Sequence, residues 1–183
     1  MSNPLLPAGM KVWIQTISSS PLGAISLAAS QNGLVRIELA SISELINEIG
    51  EQHISVQQPA PAILNSAVQQ LEEYLEGKRK DFDLSIEWNL IRPFDQIILR
   101  ACQQIPFGKV VSYGQLGTLA GKPHSARAVG GVMARNPIPL VIPCHRVVNA
   151  GGGLHGYSAR GGLNTKSWLL QLEGHTLVDQ KLG

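Results

Sequence analysis

The chain has 183 residues, 44% of them hydrophobic and 15% charged, so it can bury a core and global disorder is excluded. No apolar run is long enough to span a bilayer, and the start lacks the basic, apolar and small-residue pattern of a secretory signal. The net charge of +2 hides an asymmetry: residues 1–91 hold 5 Lys+Arg and 10 Asp+Glu, whereas residues 92–183 hold 10 and 3. Such a split points to a polyanion on the second half, unless the halves simply differ in surface charge. Two cysteines, Cys102 and Cys144, are too few for a disulfide framework and are expected as free thiols in a reducing, cytoplasmic compartment.

In chain order, Lys11–Ser18, Ala24–Ala29 and Leu34–Leu39 read as strands, with turns at Pro21-Leu22-Gly23 and Gln31-Asn32-Gly33. Ser43–Glu51 reads as a short helix. Ala62–Glu76 reads as a longer one, with Ile63, Val68, Leu71, Tyr74 and Leu75 on one stripe and Gly77 ending it. Phe82, Leu84 and Ile86 alternate as a strand. Residues 1–88 are thus expected to form an α/β domain, a small sheet with helices, and residues 87–93 the connection.

From Phe94 the pattern turns helical, with Phe94, Ile97, Ile98, Ala101, Cys102 and Ile105 at i, i+3, i+4 spacing, which puts Cys102 in the core. Ser112-Tyr113-Gly114-Gln115 has the form of a capping box opening a helix to about Ala120. Gly121-Lys122-Pro123-His124 breaks it, and Ser125 can cap a second helix, Ala126–Arg135. The pair reads as a helix-turn-helix. Gly130-Gly131 inside the second helix costs roughly 1 kcal/mol per glycine. Two readings stand equal: close approach of a nucleic-acid backbone, or packing against a neighbouring helix. Asn136-Pro137-Ile138-Pro139 ends the helix, and Leu140-Val141-Ile142 reads as an apolar strand leading to Cys144. Leu154–Tyr157 reads as a short return strand. Asn164–Glu173 reads as a last helix with Leu163, Trp168, Leu169 and Leu172 inward, and the residues from Gly174 as a tail. Residues 92–183 are therefore expected to form a mostly α domain.

A cysteine needs thiolate character to act as a nucleophile, and positive neighbours supply it. Cys144 is followed by His145 and Arg146. Adjacent side chains often point apart, so spacing alone favours a buried structural cysteine.

The runs Arg127-Ala128-Val129-Gly130-Gly131, Asn136-Pro137 and Pro143-Cys144-His145-Arg146-Val147 closely resemble the O6-alkylguanine-DNA alkyltransferases, or methylated-DNA–protein-cysteine methyltransferases. Ile105 to Gly114, Gly156-Tyr157 and the helix from Lys166 through Trp168 to Glu173-Gly174 fit the same family, so the likeness covers roughly residues 92–174. It implies a ribonuclease H-like N-terminal domain that supports a winged-helix-like C-terminal one. It implies a repair protein that flips O6-alkylguanine, and by extension O4-alkylthymine, from duplex DNA and moves the alkyl group irreversibly to itself.

By this resemblance Cys144 is the alkyl acceptor, His145 the base acting through a water, and Glu173 the group that orients His145. Tyr113 donates a hydrogen bond or proton to the departing guanine, and Asn136 is the hinge after the second helix. Arg127 is the finger that replaces the flipped base. Ala126, Ala128, Gly130 and Gly131 suit the minor groove, with Arg135, Lys122 and Lys109 on phosphates. Val147, Tyr157, Ser158, Ala159 and Arg160 line the substrate pocket, in a loop longer than the family's usual form. No cofactor is implied. The zinc site of some members is not expected, because the N-terminal half has no Cys and only His53. The implied partner is double-stranded DNA, with no membrane and a monomer in solution; cooperative assembly on DNA stays open.

Three other readings compete. A non-enzymatic alkyltransferase-like protein would bind lesions without reacting, although its nucleophile position is typically tryptophan. A helix-turn-helix regulator would explain the charge split but not Tyr113, Cys144, His145 and Glu173 together. A cysteine hydrolase would need an oxyanion site.

Overall fold

In the computed structural model, which describes residues 6–154, 156–178 and 181–183, the chain divides into two units, Met1–Leu90 and Ile91–Gly183. The first opens on three antiparallel strands, β1 (Trp13–Ile17), β2 (Ile25–Ala29) and β3 (Leu34–Glu38), paired in that order. Every residue of β2 is buried, as the central strand of a covered sheet must be. It is covered by α1 (Ile42–Ile49) and α2 (Ala62–Leu75), both of which touch β2. Leu45 and Ile49 of α1 join Val12, Ala28 and Val35 in one core cluster.

The turn between β2 and β3 is pinned by Glu87, whose carboxylate accepts from Ser30 Oγ (2.7 Å) and Asn32 Nδ2 (2.9 Å). The strand expected at Phe82–Ile86 does not form; only Ile86 bridges to Leu34. The Gln70 side chain takes up both backbone groups of Asp83 (2.8 and 3.0 Å), so those groups have no need of a strand partner. His53 is buried, with Nδ1 2.9 Å from the Met10 carbonyl oxygen.

The second unit starts with α3 (Pro93–Gln103), whose buried face is Asp95, Ile98, Leu99 and Cys102. The expected stripe is therefore partly wrong: Phe94 and Ile97 are 36% and 41% exposed. Asp95 turns to the buried face instead, where it pairs with the half-exposed Arg135 at 3.2–3.3 Å. Next come β4 (Val111–Ser112), α4 (Tyr113–Leu119) and α5 (Ala126–Ala134). The capping box that opens α4 is present: Gln115 N donates to Ser112 Oγ and Ser112 N to Gln115 Oε1. Ser125 stands at the N-cap of α5 without capping it, because its hydroxyl donates to the Lys122 carbonyl instead.

The expected strand at Leu140–Ile142 is a turn, with Leu140 at φ 74° and a bridge from Pro139 to Ile142. A single 3-10 turn, Cys144–Arg146, follows, then β5 (Val147–Val148), which pairs parallel with β4. Leu154, Gly156 and Tyr157 lie in no strand, and His155 lies outside the described residues. Helix α6 (Gly162–Leu172) buries Thr165, Lys166, Leu169 and Leu170, whereas Leu163, Trp168 and Leu172 are only half-buried. The residues after it are not a tail: β6 (Leu177–Val178) and β7 (Lys181–Leu182) form a hairpin. Among the described residues no helix is long and apolar enough to cross a membrane.

Candidate active site

The 3-10 turn that follows Pro143 places three consecutive side chains inside the second unit. Cys144 is 6% exposed, His145 fully buried and Arg146 4% exposed. His145 and Arg146 converge on Glu173, the residue that follows α6, also buried. His145 Nε2 lies 2.9 Å from Glu173 Oε1, and a carboxylate acceptor there fixes the proton on Nε2. Arg146 donates through Nε (3.0 and 3.1 Å) and Nη2 (2.8 Å) to the same carboxylate, and through Nη1 to the Ile105 carbonyl (2.5 Å). The backbone N–H of Gly108 adds a further donor to Glu173 at 3.1 Å. Burial works against a charged Glu173, but the hydrogen bonds and charges of His145 and Arg146 outweigh it, and its pKa falls well below the carboxylate range. Burial likewise lowers the pKa of His145, against the pull of Glu173, so the imidazole is neutral at neutral pH.

The environment of Cys144 is set by burial rather than by its sequence neighbours. Its positive sequence neighbours do not hold it as a thiolate, because Arg146 is turned to Glu173. Burial raises the thiol's pKa, opposed by hydrogen bonds from Asn136 and Tyr157 and by the charge of Lys166. The Asn136 amide is itself fixed: Nδ2 donates to the Ile142 carbonyl (2.8 Å) and Oδ1 accepts from Ile138 N (3.1 Å). This locks the turn from α5 to Cys144. Lys166 is fully buried, donates to the Val147 carbonyl (2.6 Å), lies 6.0 Å from the Tyr113 ring centre, and is lowered by burial to about 8.

Cys144 forms the floor of an open cavity of about 730 Å³. Its walls come from Ser112, Tyr113 and Gly114 of α4 and its cap, from Ala126, Gly130, Met133 and Ala134 of α5, and from Asn149, Ala150, Gly156, Tyr157 and Ser158. Gly130 leaves room there: a Cβ would reach no nearer than 4.0 Å from the Tyr113 ring. The tight spot is elsewhere, at Gly117, where a Cβ would stand 2.7 Å from Ser125 Oγ and 2.9 Å from the Lys122 carbonyl oxygen, both in the turn that joins the two helices. Helix packing is thus not what Gly130 is for.

Both units have known counterparts. Residues 14–88 match the family of the 6-O-methylguanine DNA methyltransferase ribonuclease-like domain, and residues 93–175 match that of the 6-O-methylguanine DNA methyltransferase DNA binding domain. The human protein named methylated-DNA–protein-cysteine methyltransferase is 35% identical, over 92% of this chain and 84% of its own length. A protein of that name from Mycobacterium tuberculosis (strain ATCC 25618 / H37Rv) is 36% identical over 84% and 88%. The chain belongs to the methylated-DNA–protein-cysteine methyltransferase family. Its two-domain fold also matches the solved structure of Mycobacterium tuberculosis OGT in complex with DNA, with a TM-score of 0.73 and 35% identity over 88% of this chain and 92% of that one.

Within this family member the expected site residues fall into three groups. Cys144, Tyr113, Ala126, Gly130, Tyr157 and Ser158 share the cavity. His145, Glu173, Asn136 and Val147 are buried around it, with Val147 engaged through its carbonyl with Lys166. Arg127, Ala128, Lys122 and Lys109 are exposed and Gly131 half-buried, all outside the cavity lining. Arg135 is half-exposed and tied to Asp95. Ala159 and Arg160 also lie outside the lining; the Arg160 carbonyl accepts from Thr165 Oγ1 (2.7 Å), which anchors this loop to α6. Sequence reasoning missed Met133, Ala134, Asn149 and Ala150 as walls, Lys166 as a buried cation and Arg146 as the anchor of Glu173. The Arg146 signal was present in the motif, but adjacency tied it to the thiol rather than to a carboxylate 27 residues away.

Proposed function

We propose that this chain repairs O6-alkylguanine in double-stranded DNA by moving the alkyl group, once and irreversibly, to Cys144. The observation that carries this is a nearly buried thiol at the floor of a cavity, backed by a fully buried His145 and Glu173. In the reaction Cys144 Sγ attacks the carbon bonded to guanine O6; the S–C bond forms as the C–O6 bond breaks. The bond's electron pair leaves with the guanine. With Nε2–H directed at Glu173, His145 Nδ1 is the basic atom, taking the thiol proton through a water. The Tyr113 hydroxyl supplies a proton to the departing guanine, and the proton held by His145 balances the step. Asn136 and Tyr157 stabilise the sulfur anion as it forms. A thioether cannot return to the thiol, so each molecule acts once.

A thiol 6% exposed cannot reach a base paired within a duplex, which supports base flipping. In this reading α4 and α5 act as a helix-turn-helix of a winged-helix-like domain, spanning residues 92–183. Helix α5 enters the minor groove, its exposed Ala126 and Ala128 fitting a narrow groove and exposed Arg127 replacing the flipped base. Gly131 permits close approach, and Lys122 and Lys109 contact phosphates. Val147, Ser158, Ala159 and Arg160 border the base site, and O4-alkylthymine is a second substrate. Residues 1–88 support this domain, and the chain works as a cytoplasmic monomer with its cysteines reduced. The DNA complex of the Mycobacterium tuberculosis relative supports DNA as partner.

The test is mass analysis of the Cys144 peptide after incubation with a duplex carrying O6-methylguanine. The expected result is one methyl group on Cys144 and at most one lesion repaired per protein molecule. An unmodified peptide from a protein that still binds the lesion would establish the non-reacting reading, and repeated turnover would exclude a suicide acceptor.

A further inference from the structure

The hairpin after α6 has no part in the chemistry above, yet it reaches one wall of the cavity. That wall is Asn149 and Ala150, which begin a tight turn closed by Asn149 N to the Gly153 carbonyl (3.0 Å) and Gly152 N to the Asn149 carbonyl (2.9 Å). Both wall residues are exposed. The turn is instead held from behind. Leu182 N of β7 donates to the Gly152 carbonyl (3.1 Å), and Gly153 bridges antiparallel to Lys181. A Cβ on Gly152 would meet Leu182 Cβ at 3.6 Å, so the strand and the turn are in contact.

Side chains repeat the connection. Leu177 and Leu182 pair across the hairpin and pack on Val148, Leu154 and Leu170. Val148 directly precedes Asn149, and Leu154 directly follows the turn. The hairpin thus grips both ends and the middle of the segment that forms the wall, while His145, Arg146 and Glu173 are bonded to one another.

We infer that strands β6 and β7 are a positioning element that fixes the Asn149–Ala150 wall and so sets how tightly the site holds an extruded base. This rests on the function proposed above. Removing the element loosens base binding while leaving thiol transfer intact, because the wall is displaced and the Cys144–His145–Glu173 set is not.

The experiment compares the full chain with a variant lacking residues 176–183 and with Leu182→Ala, which keeps the backbone bonds. Single-turnover methyl transfer is followed as a function of the concentration of a duplex carrying O6-methylguanine, and binding of the same duplex without the lesion is measured alongside. The expected result is a half-saturating concentration raised at least fivefold by the deletion and less by Leu182→Ala. The limiting rate and the affinity for undamaged duplex are expected to stay within twofold. A deletion variant that keeps its half-saturating concentration overturns the inference. So does one whose limiting rate falls as much as its half-saturation rises, which would mark a general loss of structure. Failure of the proposed function is separate, since the full chain would then transfer no methyl group.

Discussion

Arg146 holds Glu173 through two guanidinium nitrogens, Nε and Nη2, so the carboxylate that bonds His145 is itself anchored by the residue next to His145. The arrangement is a buried charge pair with good geometry, and it is costly to break from one side only. Glu173→Gln leaves the Arg146 charge uncompensated, and a loss of about 3–5 kcal/mol in unfolding free energy is expected, measured by urea denaturation. The same substitution weakens the orientation of His145, and single-turnover transfer should fall by about a hundredfold, in the range of general base catalysis. Arg146→Lys keeps the charge but not the forked geometry, so a smaller loss in both is expected. Unchanged transfer in Glu173→Gln would remove His145 and Glu173 from the mechanism.

The pH dependence follows from the same groups. His145 and Glu173 both have pKa values lowered in the folded protein, so the folded state binds fewer protons than the unfolded one. Their contribution is therefore present at higher pH and is lost as pH falls: from about 6.5 downward for His145 and from about 4.5 downward for Glu173. Each group adds a slope of up to about 1.4 kcal/mol per pH unit within its window. Denaturation between pH 3 and 8 should show stability falling on the acid side, with the lower part of the slope reduced in Glu173→Gln. The thiol behaves in the opposite sense. With the Cys144 pKa raised by burial, iodoacetamide should alkylate it faster as pH rises, still increasing above pH 9. A plateau below pH 7 would mean a resting thiolate.

Asp95 and Arg135 give a prediction about DNA. Arg135 ends α5, one residue before Asn136, and its guanidinium is paired with an Asp95 side chain 11% exposed. A cation already paired releases few counterions when a phosphate approaches. Arg135→Ala should therefore change the salt dependence of duplex binding less than Lys122→Ala does, where a lost phosphate contact reduces the slope by about 0.9. Asp95→Ala should cost about 1 kcal/mol of stability, as for a partly exposed pair, and steepen the salt dependence by releasing Arg135. An equal loss of slope in Arg135→Ala and Lys122→Ala would make Arg135 a phosphate contact despite Asp95.

What could be read from the sequence, and what could not, follows from the range of the interactions. The capping box at Ser112 and Gln115 is local and was legible in four letters. The dense motif around Cys144 was legible by resemblance. Burial of Asp95 was not, because its partner lies 40 residues away and the apolar pattern of α3 fits a neighbouring face almost as well. Leu140–Ile142 was misread because three apolar residues carry no period, and strand and turn look alike at that length. Lys166 was missed because lysine is ordinarily a surface residue, and its bond to the Val147 carbonyl is visible only in three dimensions. The two-residue strands of the last hairpin are too short to alternate, so their tie to Gly152 is visible only in three dimensions.

Gly117 and Gly130 separate packing from function most sharply. In both cases alanine should favour the helix by about 1 kcal/mol if nothing else intervened. At Gly117 much intervenes: the new Cβ would stand 2.9 Å from the Lys122 carbonyl oxygen, which is backbone and cannot swing away, besides 2.7 Å from Ser125 Oγ. Gly117→Ala should therefore lower stability by about 1–3 kcal/mol, as overpacking does. At Gly130 the nearest heavy atom would be a Tyr113 ring carbon at 4.0 Å, an ordinary contact, so Gly130→Ala should leave stability equal or raise it. Yet that methyl group would project toward the ring that shares the cavity with Cys144, and transfer from an O6-alkylguanine duplex should slow. The two variants are thus expected to move in opposite directions on thermal denaturation, with only Gly130→Ala slowing transfer at a temperature where both are fully folded. If Gly130→Ala were stabilised and fully active, the glycine would owe its place to something other than the room it leaves above the thiol.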